Sequence, residues 1–275
     1  MRIVASVRAR LVVAFDASGV SGALLARAFT RPRLRAFARI ELPPGALTPS
    51  ALGPNLQRPD AVGEALETLR GRLGSSAGAT LVLPDGVARV LLFDTPEGSD
   101  DRDYVRFRLA ASLPYSADEG TFDVLRLGRG RVLGAAVRRS VVAEFEQAAA
   151  LAGFTQERVD LAPLVAVGGL LQRATGVHVI LGDAALSLAM FQGARLAAFR
   201  TRRREPGPGE AQRLLEEAER TALVGGGDGA VSFAGPGARG LVQELVASGR
   251  PACLGPGAEN APLDAEAAWL AGVLS

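Results

Sequence analysis

Between Val177 and Arg204 the chain reads VHVILGDAALSLAMFQGARLAAFRTRRR: strand, tight turn, strand, turn, strand. A turn of glycine and small residues between two strands can hold a phosphate on its backbone amides. Where such a turn would keep an acid for a metal, this chain has Ile180, two residues before Gly182. The rest of the reactive inventory is sparse. All 31 cationic residues are arginine, which rules out a phosphate-binding or Schiff-base lysine. One histidine (His178) and one cysteine (Cys253) cannot assemble a His/Cys metal cluster. A Ser-His-Asp triad would have to use His178, which lies in an alternating apolar strand and reads as structural.

Composition sets wider limits. The 275 residues are 48% hydrophobic, enough to bury a large core, and the formal net charge is +2. Arginine without lysine, together with abundant alanine, reads as the mark of a GC-rich genome. The densest basic runs, RTRRRE and RPRLR, fall in turns and are not interleaved with aromatics, which make up 5% of the chain. Solvated loop charge is therefore expected rather than a nucleic-acid surface. Contact with an acidic partner or anionic lipid headgroups is the alternative. A single cysteine excludes an intramolecular disulfide and agrees with a reducing compartment. The opening MRIVASVRARLVVAFDASG has no signal-peptide h-region, and the apolar run Leu161–Leu171 is too short to span a bilayer. A soluble, cytoplasmic chain is expected.

The elements that must position these turns follow an internal echo. RLVVAFDASGVSGALLARAFTRPRLRAFARIEL reads as three strands, followed by a helix over Asp60–Leu73 and a buried strand ATLVLP. The three strands after Val177 repeat the order: helix GEAQRLLEEAERTALV, strand GAVSFAG, helix ARGLVQELVASG, strand PACLG and a terminal helix DAEAAWLAGVL. Three antiparallel strands followed by alternating helices and parallel strands is the order of a ribonuclease-H-like half. Two such halves make an α/β, actin-like fold with a cleft between them. The halves are expected over 1–96 and 162–275. An inserted α+β subdomain is expected over 97–161, read as helix, strand pair, helix and strand. The proline-rich ELPPGALTPSALGPNLQRP reads as a surface loop. Only TRRREPGPGE separates the third strand of the second half from its helix, leaving no room for an extra lobe.

Within the insertion, Leu113-Pro114, DEGTFDVLRL, VLGAAVRRSVVAEFEQAAALAGF and VDLAP resemble the type IV pilus assembly PilM family. The chain is also similar to the cytoplasmic actin-like domain of the type II secretion protein GspL. The resemblance covers Leu81–Leu171 well and the flanks more loosely. It implies three nucleotide-facing loops. In FDASGVSG, Asp16 matches the acid, Ser18 replaces a glycine, Gly19 and Ser21 complete the turn, and no lysine follows. In the second loop, Gly182 matches, but the acid is Ile180. Asp183 follows on the other side of the pleat and is expected to point elsewhere. In SFAGPGARGL, Gly235 and Gly237 remain of an adenosine turn.

Losing an acid and the phosphate-facing cation should weaken Mg·ATP binding and abolish hydrolysis. The resemblance therefore implies a degenerate, non-catalytic actin-like scaffold with no catalytic residue, no metal and no cofactor, held at the inner face of the inner membrane through its partner. Weak ATP binding, or an ATPase or kinase-like enzyme, is the alternative. The implied partner is the cytoplasmic tail of a PilN-like membrane protein, with a pilus or secretion ATPase as a further partner and no nucleic acid. The tail would lie in a groove between the first half and the insertion, near Tyr104, Phe107, Leu113 and Val137. Phe145, in mid-helix, reads better as core.

Overall fold

The computed structural model describes residues 10–255, apart from 29–30, 75–77, 97–99, 129, 171–174, 194 and 228–229. The terminal helix expected over DAEAAWLAGVL lies outside the described residues.

Strands β1 (Arg10–Asp16), β2 (Gly19–Ala28) and β3 (Arg31–Glu41) form an antiparallel meander. Helix α1 (Pro59–Leu73) then returns the chain to β4 (Ala79–Leu83), parallel to β1. Next come β5 (Ala88–Asp94), α2 (Asp101–Ala110), β6 (Gly120–Arg126), β7 (Arg131–Arg138), α3 (Arg139–Leu151), β8 (Gln156–Leu161) and α4 (Ala162–Leu170). The second meander is β9 (Gly176–Leu181), β10 (Ala185–Gln192) and β11 (Arg195–Arg203). It is followed by α5 (Glu210–Gly225), β12 (Val231–Ala234), α6 (Ala238–Ala247) and β13 (Cys253–Leu254).

The two large sheets run β3-β2-β1-β4-β8 and β11-β10-β9-β12-β13, which is one strand order used twice. The echo in the sequence is therefore an echo in topology. Each sheet is covered on both faces, so its central strands are apolar on both sides. In β1, Leu11, Val13 and Phe15 join the core beneath α1 and α3, while Val12 and Ala14 face Val165 of α4. In β9, Val177, Val179 and Leu181 pack under α5 and α6. Ile180 instead turns toward the first half and enters its core together with Phe191 and Phe199. A shared apolar layer thus joins the two halves. Loop 204–209 leads directly from β11 to α5, so the second half has no extra lobe.

The inserted unit differs from its expected bounds of 97–161. Its sheet is β5-β7-β6, so it starts with β5, before residue 97. β8 pairs in parallel with β4 (Leu81 opposite Val159) and belongs to the first half. α3 belongs there too, because Phe145 is fully buried and meets the Phe15 ring edge-on at 4.9 Å. The subdomain is therefore a three-stranded sheet carrying α2 on one face. Its strand β5 follows β4 after a short 3-10 turn, Asp85–Val87, and pairs with β7 rather than with the first sheet.

The proline-rich stretch is also not a plain surface loop. Leu47 and Leu56 form a bridge and are buried, and Asn55 is fully buried. Glu144 of α3 accepts from the backbone N–H groups of Asn55 and Leu56, both at 2.8 Å, and from Asn55 Nδ2 at 3.1 Å. A carboxylate that meets buried amide donors anchors the loop against α3.

Replacing Phe145 with alanine leaves a cavity where β1, α1 and α3 meet. The expected loss is about 3–5 kcal/mol of unfolding free energy in urea titration. A loss below about 1 kcal/mol would instead place Phe145 at an exposed groove.

Candidate functional site

Four chain segments meet where the two meanders face each other. From the first half come the β1–β2 turn at Asp16–Ser18, Arg39 of β3, and Asp85 in the short 3-10 turn after β4. The second half supplies the β9–β10 turn at Gly182–Ala184, with Pro236 of the β12–α6 turn beside it. Ile180 and Ala14 line the apolar floor. The cleft encloses about 50 Å³, well under the roughly 300–1,000 Å³ of most small-molecule sites.

The turns interlock through their own carboxylates. Asp183 N–H donates to both Asp16 oxygens, at 3.1 and 2.9 Å. Asp16 Oδ1 also accepts from Ala17 N–H at 2.9 Å. In return, Asp183 Oδ2 accepts from Ser18 N–H at 2.9 Å, from the Ser18 hydroxyl, and from Arg39 Nη2 at 3.2 Å. Arg39 also reaches Ser18 Oγ at 2.5 Å and Ser21 Oγ at 3.2 Å. Gly19 makes room for this, since a Cβ there would stand 2.8 Å from Ile40 O and 3.2 Å from the Arg39 guanidinium.

Asp183 therefore does not point away, as strand alternation suggested. It lies in the turn beyond β9, where the two-residue pleat no longer governs direction. Of the other sequence-picked residues, Asp16, Ser18, Ser21, Gly182 and Asp183 gather at the cleft. Gly235 holds φ +100° and packs backbone against backbone, because a Cβ there would sit 2.2 Å from Leu181 O. Gly237 caps α6 in the left-handed region. Arg204 donates to Gly182 O (2.9 Å) and Pro236 O (3.2 Å) and pairs with Glu210 at 2.6 Å, tying the second and third turns together. Arg200 and Arg202 meet Glu217, so much of the RTRRRE run is neutralised internally.

Sequence reasoning missed Asp85 and Arg39. Asp85 follows the buried β4 in LVLPDG, just as Asp183 follows β9 in VILGD, and that parallel was a usable signal. Arg39 carried none, because its role depends on β3 lying beside the β1–β2 turn. Asp85 accepts from Ser187 Oγ of β10 at 3.0 Å, a second polar link between the halves. Burial chiefly pushes its pKa up to about 7; the Ser187 hydrogen bond opposes this and nearby Asp16 adds to it. Burial, with Asp183 alongside, raises Asp16 to about 6. His178 is buried, its Nδ1 is hydrogen-bonded with Ser232 Oγ at 2.6 Å, and burial lowers its pKa to about 4. It is neutral near pH 7 and sits within the sheet, which fits a structural residue. Among the described residues, no three acidic, histidine or cysteine side chains converge as metal ligands.

The four residues expected to wall one groove divide between two faces of the inserted sheet. Leu113 packs with Val105 and Leu109 on the α2 side, and Tyr104 of α2 meets Phe93 edge-on at 6.3 Å. Val137 is buried on the opposite face, in the first half's core. Successive β7 residues face opposite ways, so Ala136 meets α2 and Val137 cannot. Phe107 of α2 is 78% exposed.

No protein-family model and no curated protein matches this chain. Solved structures do. A PilM–PilN type IV pilus biogenesis complex matches at TM-score 0.69 and 18% identity, over 90% of this chain and 88% of that one. The cytoplasmic domain of EpsL, an inner-membrane component of the Vibrio cholerae type II secretion system, matches at 0.55 and 13%, over 83% of each chain. A Bacteroides thetaiotaomicron protein of actin-like ATPase fold and unknown function matches at 0.59 and 10%, over 100% and 98%. The chain has the actin-like fold, in the form seen in PilM and EpsL. Among the described residues, no helix is long and apolar enough to cross a membrane.

The buried Asp85 carboxyl gives a signed pH prediction. Its folded pKa lies above the unfolded value of 3.8, so its stabilising protonation is complete below about pH 4 and lost as pH rises through about 7. Asp85→Asn keeps an acceptor for Ser187 but cannot ionise. Relative to wild type it should gain about 2–4 kcal/mol at pH 8 and almost nothing at pH 4, read from urea unfolding at both values. Equal changes at the two pH values would refute the burial argument.

Proposed function

We propose that this chain is a non-hydrolysing actin-like scaffold in the inner-membrane platform of a type IV pilus or type II secretion machine, where it binds the cytoplasmic tail of a PilN-like partner. The observation that carries this reading is the exchange of carboxylates and amides between the two facing turns. Amides that could meet a phosphate, and the Arg39 guanidinium, are already engaged by Asp16 and Asp183. Ile180 brings a hydrocarbon to the floor, and Gly235 packs on Leu181 with no room between them. These residues do not fit a magnesium-bound nucleotide, so no step of phosphoryl transfer is assigned to them.

The partner comes from the likeness to a PilM–PilN complex, together with the form of the inserted subdomain. β6 is an outer strand of its three-stranded sheet, and Phe107 is exposed on α2, the helix packed against one face of that sheet. An extended tail would add to such an edge through main-chain hydrogen bonds and seat apolar side chains beside it. A location at the inner face of the membrane, reached through the partner, follows from the same reading.

Two measurements test the proposal. Calorimetry with Mg·ATP on the full chain should give no heat of binding at millimolar nucleotide. Micromolar binding that disappears in Asp16→Ala would replace the scaffold with a nucleotide-dependent protein. Pull-down from native membranes should recover a single-span pilus or secretion protein, and Phe107→Asp should weaken its capture about tenfold or more. Capture unaffected by that change would move the tail away from α2.

A further inference from the structure

Asp183 Oδ2 is held by the kind of donor set that binds a tetrahedral oxyanion: a turn N–H, a hydroxyl and a guanidinium, all aimed at one oxygen. We propose that the Asp183 carboxylate is a built-in ligand, filling an oxyanion site of the first half and so bridging the two halves without an external phosphate. The site itself belongs to the first half alone. Ser18 supplies the N–H and hydroxyl, Arg39 the charge, and Ser21 steadies Arg39 at 3.2 Å. The occupant comes from the second half, on a turn 165 residues away in sequence.

Three features support an occupant rather than a chance ion pair. First, the contact is reciprocal: Asp183 offers its own N–H to Asp16 while its carboxylate takes the Ser18 N–H. Second, the pair is mostly sheltered, with 23% of the Arg39 and 18% of the Asp183 side chain exposed, so it is screened less than a surface pair. Third, Asp183 carries the one carboxylate within ion-pair distance of Arg39 among the described residues. Removing it leaves a guanidinium, a hydroxyl and an amide facing an opened space on the cleft wall. Those donors and that charge suit inorganic phosphate or sulfate.

The test compares the full-length chain with Asp183→Ala by thermal unfolding, in sodium chloride and in sodium phosphate of equal ionic strength. Wild type should give nearly the same Tm in both. Asp183→Ala should melt several degrees lower in chloride and regain most of that loss in tens of millimolar phosphate. Adding Arg39→Gln should abolish the gain. A phosphate response equal in wild type and variant would overturn the proposal, because general salt effects act on both alike. If Asp183→Ala does not fold in chloride, refolding from urea in phosphate alone supports the proposal, and refolding in neither overturns it. The inference rests on reading the cleft as self-occupied. The membrane pull-down does not sense the anion site, so failure of either experiment leaves the other interpretable.

Discussion

In this molecule the acceptor for the amide of each facing turn is the other turn's carboxylate. That exchange ties the two turns together across the cleft. The Asp16 carboxylate accepts from Asp183 N–H while the Asp183 carboxylate accepts from Ser18 N–H, and Arg39 balances one of the two negative charges. Both acids can occupy one small space because Arg39 compensates Asp183 and because burial, together with Asp183, shifts Asp16 toward its protonated form. Without the arginine, two carboxylates so close would repel and the turns would part.

The apolar layer behind the clasp gives it leverage. Ile180, Phe191 and Phe199 of the second sheet enter the same core as Leu83, Val87 and Phe145 of the first half. The polar contacts therefore form at the mouth of a crevice whose floor is already joined by hydrocarbon. Asp85 and Ser187 add a second bridge, and Arg131 of the inserted sheet donates to Leu196 O at 3.1 Å, linking that sheet to β11. The two halves are thus joined by hydrocarbon at the floor and by polar contacts at the mouth.

The inserted subdomain turns its α2 face away from this machinery. Its α2 face has its own small core, and its strand β6 leaves one backbone edge unpaired within its sheet. A strand edge is where an extended peptide gains most from main-chain pairing. The same chain thus carries a cleft clasped by its own turns and, on the inserted sheet, an outer strand edge.

What the sequence alone determined was periodicity and punctuation. The repeated order of strands and helices, the buried character of ATLVLP and VHVIL, and the turns at Asp16, Gly182 and Gly235 are local properties, legible because hydrophobic alternation and glycine act within a few residues. The lack of lysine and the single histidine likewise removed whole classes of chemistry. Tertiary structure decided which segments share a sheet and where a turn side chain points. β5 left the first half, α3 and β8 joined it, and the proline-rich loop was pinned by Glu144. Asp183 turned into the cleft, and Arg39 and Asp85 became members of the site. Pairing partners and charge neighbours lie tens to more than a hundred residues apart, and no local pattern encodes a distance that only the folded chain creates.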